Sequence, residues 1–200
     1  MTHDILVLVG SIRKASINLK LAKALVGLAP QELRFDFARL DDLPLFNQDF
    51  EQNLPPEVIR VRAQIAAARG LLFVTPEHNR SIPAALKNAI DWASRPYGKS
   101  LWPGKPAAIA GASVGTIGTA VAQAHLRSML GYLDVPTLGQ PEIYLHFTDG
   151  LITDDGEIAN EGTRKFLQTY MGKFADWVVR LARERPLLRS REIYQPHVVG

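Results

Sequence analysis

Three short polar stretches hold most of the side chains in this chain that could do chemistry. The first runs Gly10-Ser-Ile-Arg-Lys-Ala-Ser-Ile-Asn18. Ser11, Ser16 and Asn18 are neutral hydrogen-bond donors, and Arg13 adds a charged fork. At a helix N-terminus such a loop offers a phosphate free backbone N–H groups and the positive end of the helix dipole. It is neither G-x-x-x-x-G-K-[ST] nor G-x-G-x-x-G, which weakens nucleoside-triphosphate and pyrophosphate readings. Hydroxyl donors in place of glycines suit a terminal monophosphate. The plainer reading is an N-capping turn, because Ser and Asn are ordinary caps. Capping accounts for one such residue, but not for three and an arginine.

The second stretch is Thr75-Pro-Glu-His-Asn-Arg-Ser-Ile-Pro83, where two prolines flank polar side chains. That composition makes a stiff loop able to hold backbone groups against a flat ring. Each residue also has a plainer role: Glu77 favours a nearby helix N-terminus, His78 suits a surface loop, and Asn79 forms turns. The third stretch is Gly111-Ala-Ser-Val-Gly-Thr-Ile-Gly118. Gly111, Gly115 and Gly118 allow close backbone approach and Ser113 can donate, although glycines also serve tight strand-to-helix turns. The five histidines (3, 78, 125, 146 and 197) show no metal-ligand spacing, so no catalytic metal is expected.

These stretches need a scaffold, and the apolar pattern supplies one. Ile5–Val9 is a continuous apolar run of the kind found in a strand buried on both faces. Leu21, Leu25 and Leu28 then mark a helix that ends before Pro30, and 33–37 alternates as a strand. Residues 41–56 carry Pro44, Pro55 and Pro56 and read as an extended loop. Val58, Val61, Ile65 and Ala68 give a second helix stopped by Gly70, followed by a buried strand at 71–74. Leu86, Ile90 and Ala93 mark a third helix opened by Pro83. A fourth strand is expected at 105–112, a fourth helix along Ala122, Leu126, Met129 and Leu133, and a fifth strand at 143–147. The last helix carries Leu167, Tyr170, Phe174, Trp177 and Leu181. Strands separated by helices of this length imply right-handed crossovers and a parallel sheet covered on both faces. The reading is therefore α/β: a flavodoxin-like three-layer sandwich, strand order 2-1-3-4-5. In such sheets ligands bind beyond the carboxyl ends of the strands, where all three polar stretches fall.

The composition bounds the remaining possibilities. With 200 residues, 46% apolar and 22% charged, the chain suits one globular domain, expected over residues 1–183. No cysteine is present, which excludes disulfides, thiol nucleophiles and Cys-ligated metal centres. No run is long enough to span a membrane and no secretory signal is visible, so a cytoplasmic location is expected. Five arginines and two glutamates from Arg180 onward account for the whole net charge of +3. A neutral body with a basic extension (184–200) argues against nucleic-acid binding, which needs a basic stripe on the folded surface.

Taken in order, GSIRKASIN at 10–18, TPEHNRSIPAALKNAIDW at 75–92, GASVGTIG at 111–118 and AHLRSML at 124–130 resemble the NADPH-dependent FMN reductase family. That family includes quinone, azo-dye and chromate reductases, and the similarity covers roughly residues 4–180. The resemblance implies FMN as cofactor, NADPH or NADH as co-substrate, and a homodimer or homotetramer. It implies that Ser11, Arg13, Ser16, Ile17 and Asn18 hold the phosphate. Pro76, Glu77, His78 and Asn79 would border the ribityl chain and ring, with Gly111, Ser113 and Gly115 completing the pocket. Arg127 and Glu142 match positions of contacts between subunits. The family usually has tyrosine where this chain has His78. Arg80 and Arg95 are candidate charged partners of NADPH or an anionic acceptor, although Arg95 also stands where it would complement the third helix's C-terminus. The expected function is transfer of hydride from NAD(P)H to FMN and then to a quinone, azo, chromate, ferric or flavin acceptor by a ping-pong mechanism. A flavodoxin-type electron carrier is the alternative, disfavoured by the neutral body.

Overall fold

The computed structural model describes residues 2–184. Its elements are β1 (His3–Val9), α1 (Ile17–Gly27), β2 (Leu33–Phe37), α2 (Pro56–Ala67), β3 (Gly70–Val74) and α3 (Ala84–Ser94). There follow β4 (Ala107–Ser113), α4 (Ala120–Tyr132), β5 (Ile143–His146) and α5 (Glu161–Glu184). The strands form one parallel sheet in the order β2-β1-β3-β4-β5, the flavodoxin-like arrangement expected from the apolar pattern. Of residues 41–56, read as an extended loop, Pro56 instead opens α2, and the rest contains a single 3-10 turn at Gln48–Phe50.

The continuous apolar runs of β1 and β3 follow from burial on both faces. Ile5, Val7, Leu72 and Val74 pack with Leu21 and Leu25 of α1 and with Phe174 of α5. Leu6, Leu8, Leu71 and Phe73 point the other way, onto Val61 and Ile65 of α2, Leu86 of α3 and Leu126 of α4. Helices thus cover each face, and successive side chains on a strand feed opposite layers. Among the described residues no helix is long and apolar enough to cross a membrane.

Three strands start elsewhere than the sequence reading placed them, each for a local reason. β1 starts at His3, because its N–H donates to the Glu32 carbonyl at 2.8 Å and begins the pairing with β2. β4 starts at Ala107, not Lys105. Pro106 has no N–H to offer, and the Lys105 ammonium leaves the sheet to donate to the Ala66 and Ala68 carbonyls at the end of α2. Gly70 opens β3 rather than merely stopping α2, and a Cβ there would lie 2.8 Å from Ile5 Cδ1. α5 continues through the described part of the basic segment, while residues 185–200, the bulk of the expected extension, lie outside the described residues.

Candidate functional site

The loops after β1, β3 and β4 meet at the carboxyl edge of the sheet, and main-chain bonds tie them together. Gly10 N donates to Val74 O at 2.9 Å and Thr75 N to Ala110 O at 2.9 Å. Gly10 also sits where a Cβ would press within 3.0–3.3 Å of Pro83, Leu86 and Pro76, so the first two loops touch through a residue without a side chain.

Along the first loop, the backbone N–H groups of Ser11, Ile12, Arg13, Lys14 and Ala15 donate to no acceptor among the described residues. Ser16 caps α1, its Oγ accepting from Leu19 N at 3.2 Å. The α1 N-terminus therefore presents open donors with the positive end of its dipole, next to an Arg13 guanidinium that is exposed and has no partner among the described residues. This donor set fits a monophosphate dianion, which has acceptors only. Ile17 is half-buried at the start of α1. Asn18 has a different position from the one its residue type suggests. It is 1% exposed, its amide donates to Ala112 O at 2.9 Å, and its oxygen accepts from Ala112 N at 2.9 Å. Its side chain braces α1 against β4.

The second loop turns as a two-residue hairpin. His78 and Ser81 exchange main-chain bonds at 2.9 and 3.0 Å, and Asn79 and Arg80 between them have φ of 50° and 62°. Positive φ at both central residues is the mirror-image turn of tight hairpins, which asparagine tolerates and arginine resists. Pro76 is half-buried, and His78 and Asn79 are exposed at the tip. Ser81 Oγ lies 3.3 Å from His125 Nδ1 of α4. Glu77 does not serve the helix that follows it. Its Oε2 accepts from Val121 N and Ala122 N at 3.1 Å each, in the first turn of α4, and its Oε1 accepts from Arg80 Nη1 at 3.3 Å.

In the third loop Ser113 Oγ donates to Gly115 O at 2.7 Å, which folds the loop back on itself. Gly115 is open, whereas Gly111 is tight: a Cβ there would lie 2.0 Å from Thr119 Oγ1 and 2.5 Å from Thr75 O. Thr119 is fully buried, at φ 73°, and its Oγ1 accepts from Gln123 Nε2 at 3.0 Å. Thr119 and Gln123 shape the loop and went unnoticed in the sequence, where neither stands out from its neighbours. Ile12, Val114 and Ile117 were likewise passed over and are 60%, 78% and 39% exposed. Apolar residues set among polar or glycine neighbours in these loops are the available signal.

The remaining candidates separate in space. Arg80 stays at the site. Arg95 lies at the far end of α3, about 16 Å along the helix from the loops, on a groove of ≈ 490 Å³ beside Tyr132 and Met129. Nor does Arg95 complement the C-terminus of α3. Arg62 does so, donating to Trp92 O at 2.8 Å and to Arg95 O. Arg127 and Glu142 pair within one chain at 3.7 Å, with Tyr144 OH donating to Glu142 at 2.5 Å. Burial first, then that hydrogen bond, push the Tyr144 phenol upward. Among the described residues no three His, Asp or Glu side chains converge on a common metal position.

Comparison with known proteins points to one family. A family model described as NADPH-dependent FMN reductase matches residues 3–149. The chain is 52% identical over 178 residues to a 2-hydroxy-1,4-benzoquinone reductase of a Burkholderia species, spanning 89% of this chain and 97% of that one. It is 48% identical to a quinone reductase of Pseudomonas putida, over 88% and 95% of the two chains. Among solved structures, FerB, a flavoenzyme NAD(P)H:(acceptor) oxidoreductase from Paracoccus denitrificans, superposes with a TM-score of 0.86 at 42% identity, covering 90% of this chain and 98% of that one.

Proposed function

The chain belongs to the NADPH-dependent FMN reductase family, and from that premise we propose how its three loops hold the flavin and which reaction they serve. The enzyme is an NAD(P)H-dependent FMN and quinone reductase. The observation that carries the site is the run of backbone N–H groups from Ser11 to Ala15, just before α1, that donate to no acceptor among the described residues. Ser11 and Arg13 close on the FMN phosphate, with Ser16 holding the helix end beneath it and Ile17 and Asn18 fixing the loop from behind. Pro76, His78 and Asn79 border the ribityl chain and ring on one side, held by Glu77. Gly111, Ser113 and Gly115 border them on the other, and the exposed Ile12, Val114 and Ile117 offer apolar surface to a flat ring.

Bound there, FMN would supply two-electron redox chemistry, linking hydride donation by NAD(P)H to the two-electron, two-proton reduction of a quinone-type acceptor. The protein orients both substrates over one open face, so they enter in turn and the kinetics are ping-pong. Arg80, exposed at the hairpin tip, is the cation placed to meet an anionic substrate. The assembly is a homodimer or homotetramer, with Arg127 and Glu142 at the contact between subunits.

Titrating the apoprotein with FMN and with riboflavin tests the phosphate assignment. FMN is expected to bind about 100-fold more tightly, because riboflavin lacks the group that meets the charge-assisted donors. Arg13→Ala should weaken FMN about tenfold and leave riboflavin unchanged. Equal affinity for the two flavins would remove the first loop from the phosphate site.

A further inference from the structure

Resting on the FMN reading above, we propose that Glu77 is a positioning residue for the flavin. One buried carboxylate holds the hairpin of the second loop and the glycine-rich third loop as a single wall. The side chain of Glu77 is 8% exposed. Oε2 takes both Val121 N and Ala122 N, 44 and 45 residues away, at 3.1 Å, while Oε1 pairs with Arg80. The residue at the head of α4, Thr119, makes no side-chain capping bond and holds φ 73°. The cap of α4 therefore comes from another loop, and the two loops cannot shift independently.

The arrangement also sorts the anion sites. α1 and α4 both start at this edge of the sheet, and both present first-turn N–H groups. Those of α4 are filled by the protein's own carboxylate, so of these two helix ends only the donors before α1 are left to meet a phosphate. Arg80 joins this ion pair from φ 62°, a conformation an arginine does not favour, set by the His78–Ser81 hairpin. His78 and His125 are the other titratable side chains on this wall. Reduction adds negative charge to a flavin, so a neutral side chain at 77 makes bound FMN easier to reduce.

The test compares wild type with Glu77→Ala and Glu77→Gln, each checked for native secondary structure. FMN affinity is read by fluorescence quenching and the midpoint potential of bound FMN by dye equilibration. Glu77→Ala is expected to weaken FMN about tenfold, and Glu77→Gln to recover most of that, since its amide oxygen can still accept from α4. In Glu77→Gln the potential should lie above wild type, a change that a purely structural cap would not produce. Wild-type affinity in Glu77→Ala, or an unchanged potential in Glu77→Gln, would overturn the proposal. Should wild type itself fail to bind FMN, the cofactor reading falls first. Normal wild-type binding with indifferent variants removes only the role of Glu77.

Discussion

Arg13, in the loop before α1, and Asn18, in its first turn, lie five residues apart and play opposite parts. Asn18 mimics a strand edge, donating to and accepting from Ala112 in a site closed to solvent. Asn18→Ala leaves both Ala112 groups buried without partners and should cost about 3 kcal/mol, lowering the apoprotein's thermal midpoint by roughly 8 °C. Calorimetry in the absence of FMN checks this, and an unmoved midpoint would contradict it. Arg13→Ala should leave that midpoint in place and affect only the ligand. The sequence put both residues in a polar loop but could not separate them, because a residue type states hydrogen-bonding capacity and not the partner 94 positions away. The same holds for Glu77. An acidic residue near a helix N-terminus was the right chemistry, but the helix is α4, which the chain reaches 43 residues later.

At the scale of elements, apolar periodicity carried nearly everything, since burial on one face or two leaves a direct trace in residue order. What it could not place were strand ends, where polar side chains choose between sheet and neighbouring helix. Lys105 illustrates this. Burial, with a smaller contribution from Arg69, lowers its pKa to about 8 from 10.5. Between those two pH values the unfolded chain holds a proton that the folded chain has released, so stability rises with pH across that window. Falling pH takes that stability away as Lys105 charges in its half-buried site. Wild type should gain about 2 kcal/mol relative to Lys105→Met between pH 8 and pH 10.5. Urea unfolding at several pH values reads this gain, and parallel pH profiles for the two proteins would refute it.

For the whole molecule, the sheet order was legible because five alternating strand–helix units have few chirally allowed arrangements, and three polar loops marked the switch point. The relation between distant helices left less trace. Arg95, a substrate candidate by residue type, stands at the end of α3 away from the three loops. Assembly is the whole-molecule property that a single chain shows least. Arg127 and Glu142 face each other at 3.7 Å within one chain, and the buried Arg127 Nε makes no hydrogen bond among the described residues. Sedimentation should show a homodimer or homotetramer, shifted to smaller species by Glu142→Lys, which sets two cations against each other.

The central claim is that the open donors before α1 and the two loops beside them hold a flavin that NAD(P)H reduces. The direct measurement is the visible spectrum of the purified protein as NADPH is added without oxygen, followed by a quinone. A yellow protein whose FMN band bleaches within the mixing time and returns on adding the quinone is the predicted result. FMN that stays oxidised in the presence of NADPH, or a protein that takes up no FMN, would contradict the account.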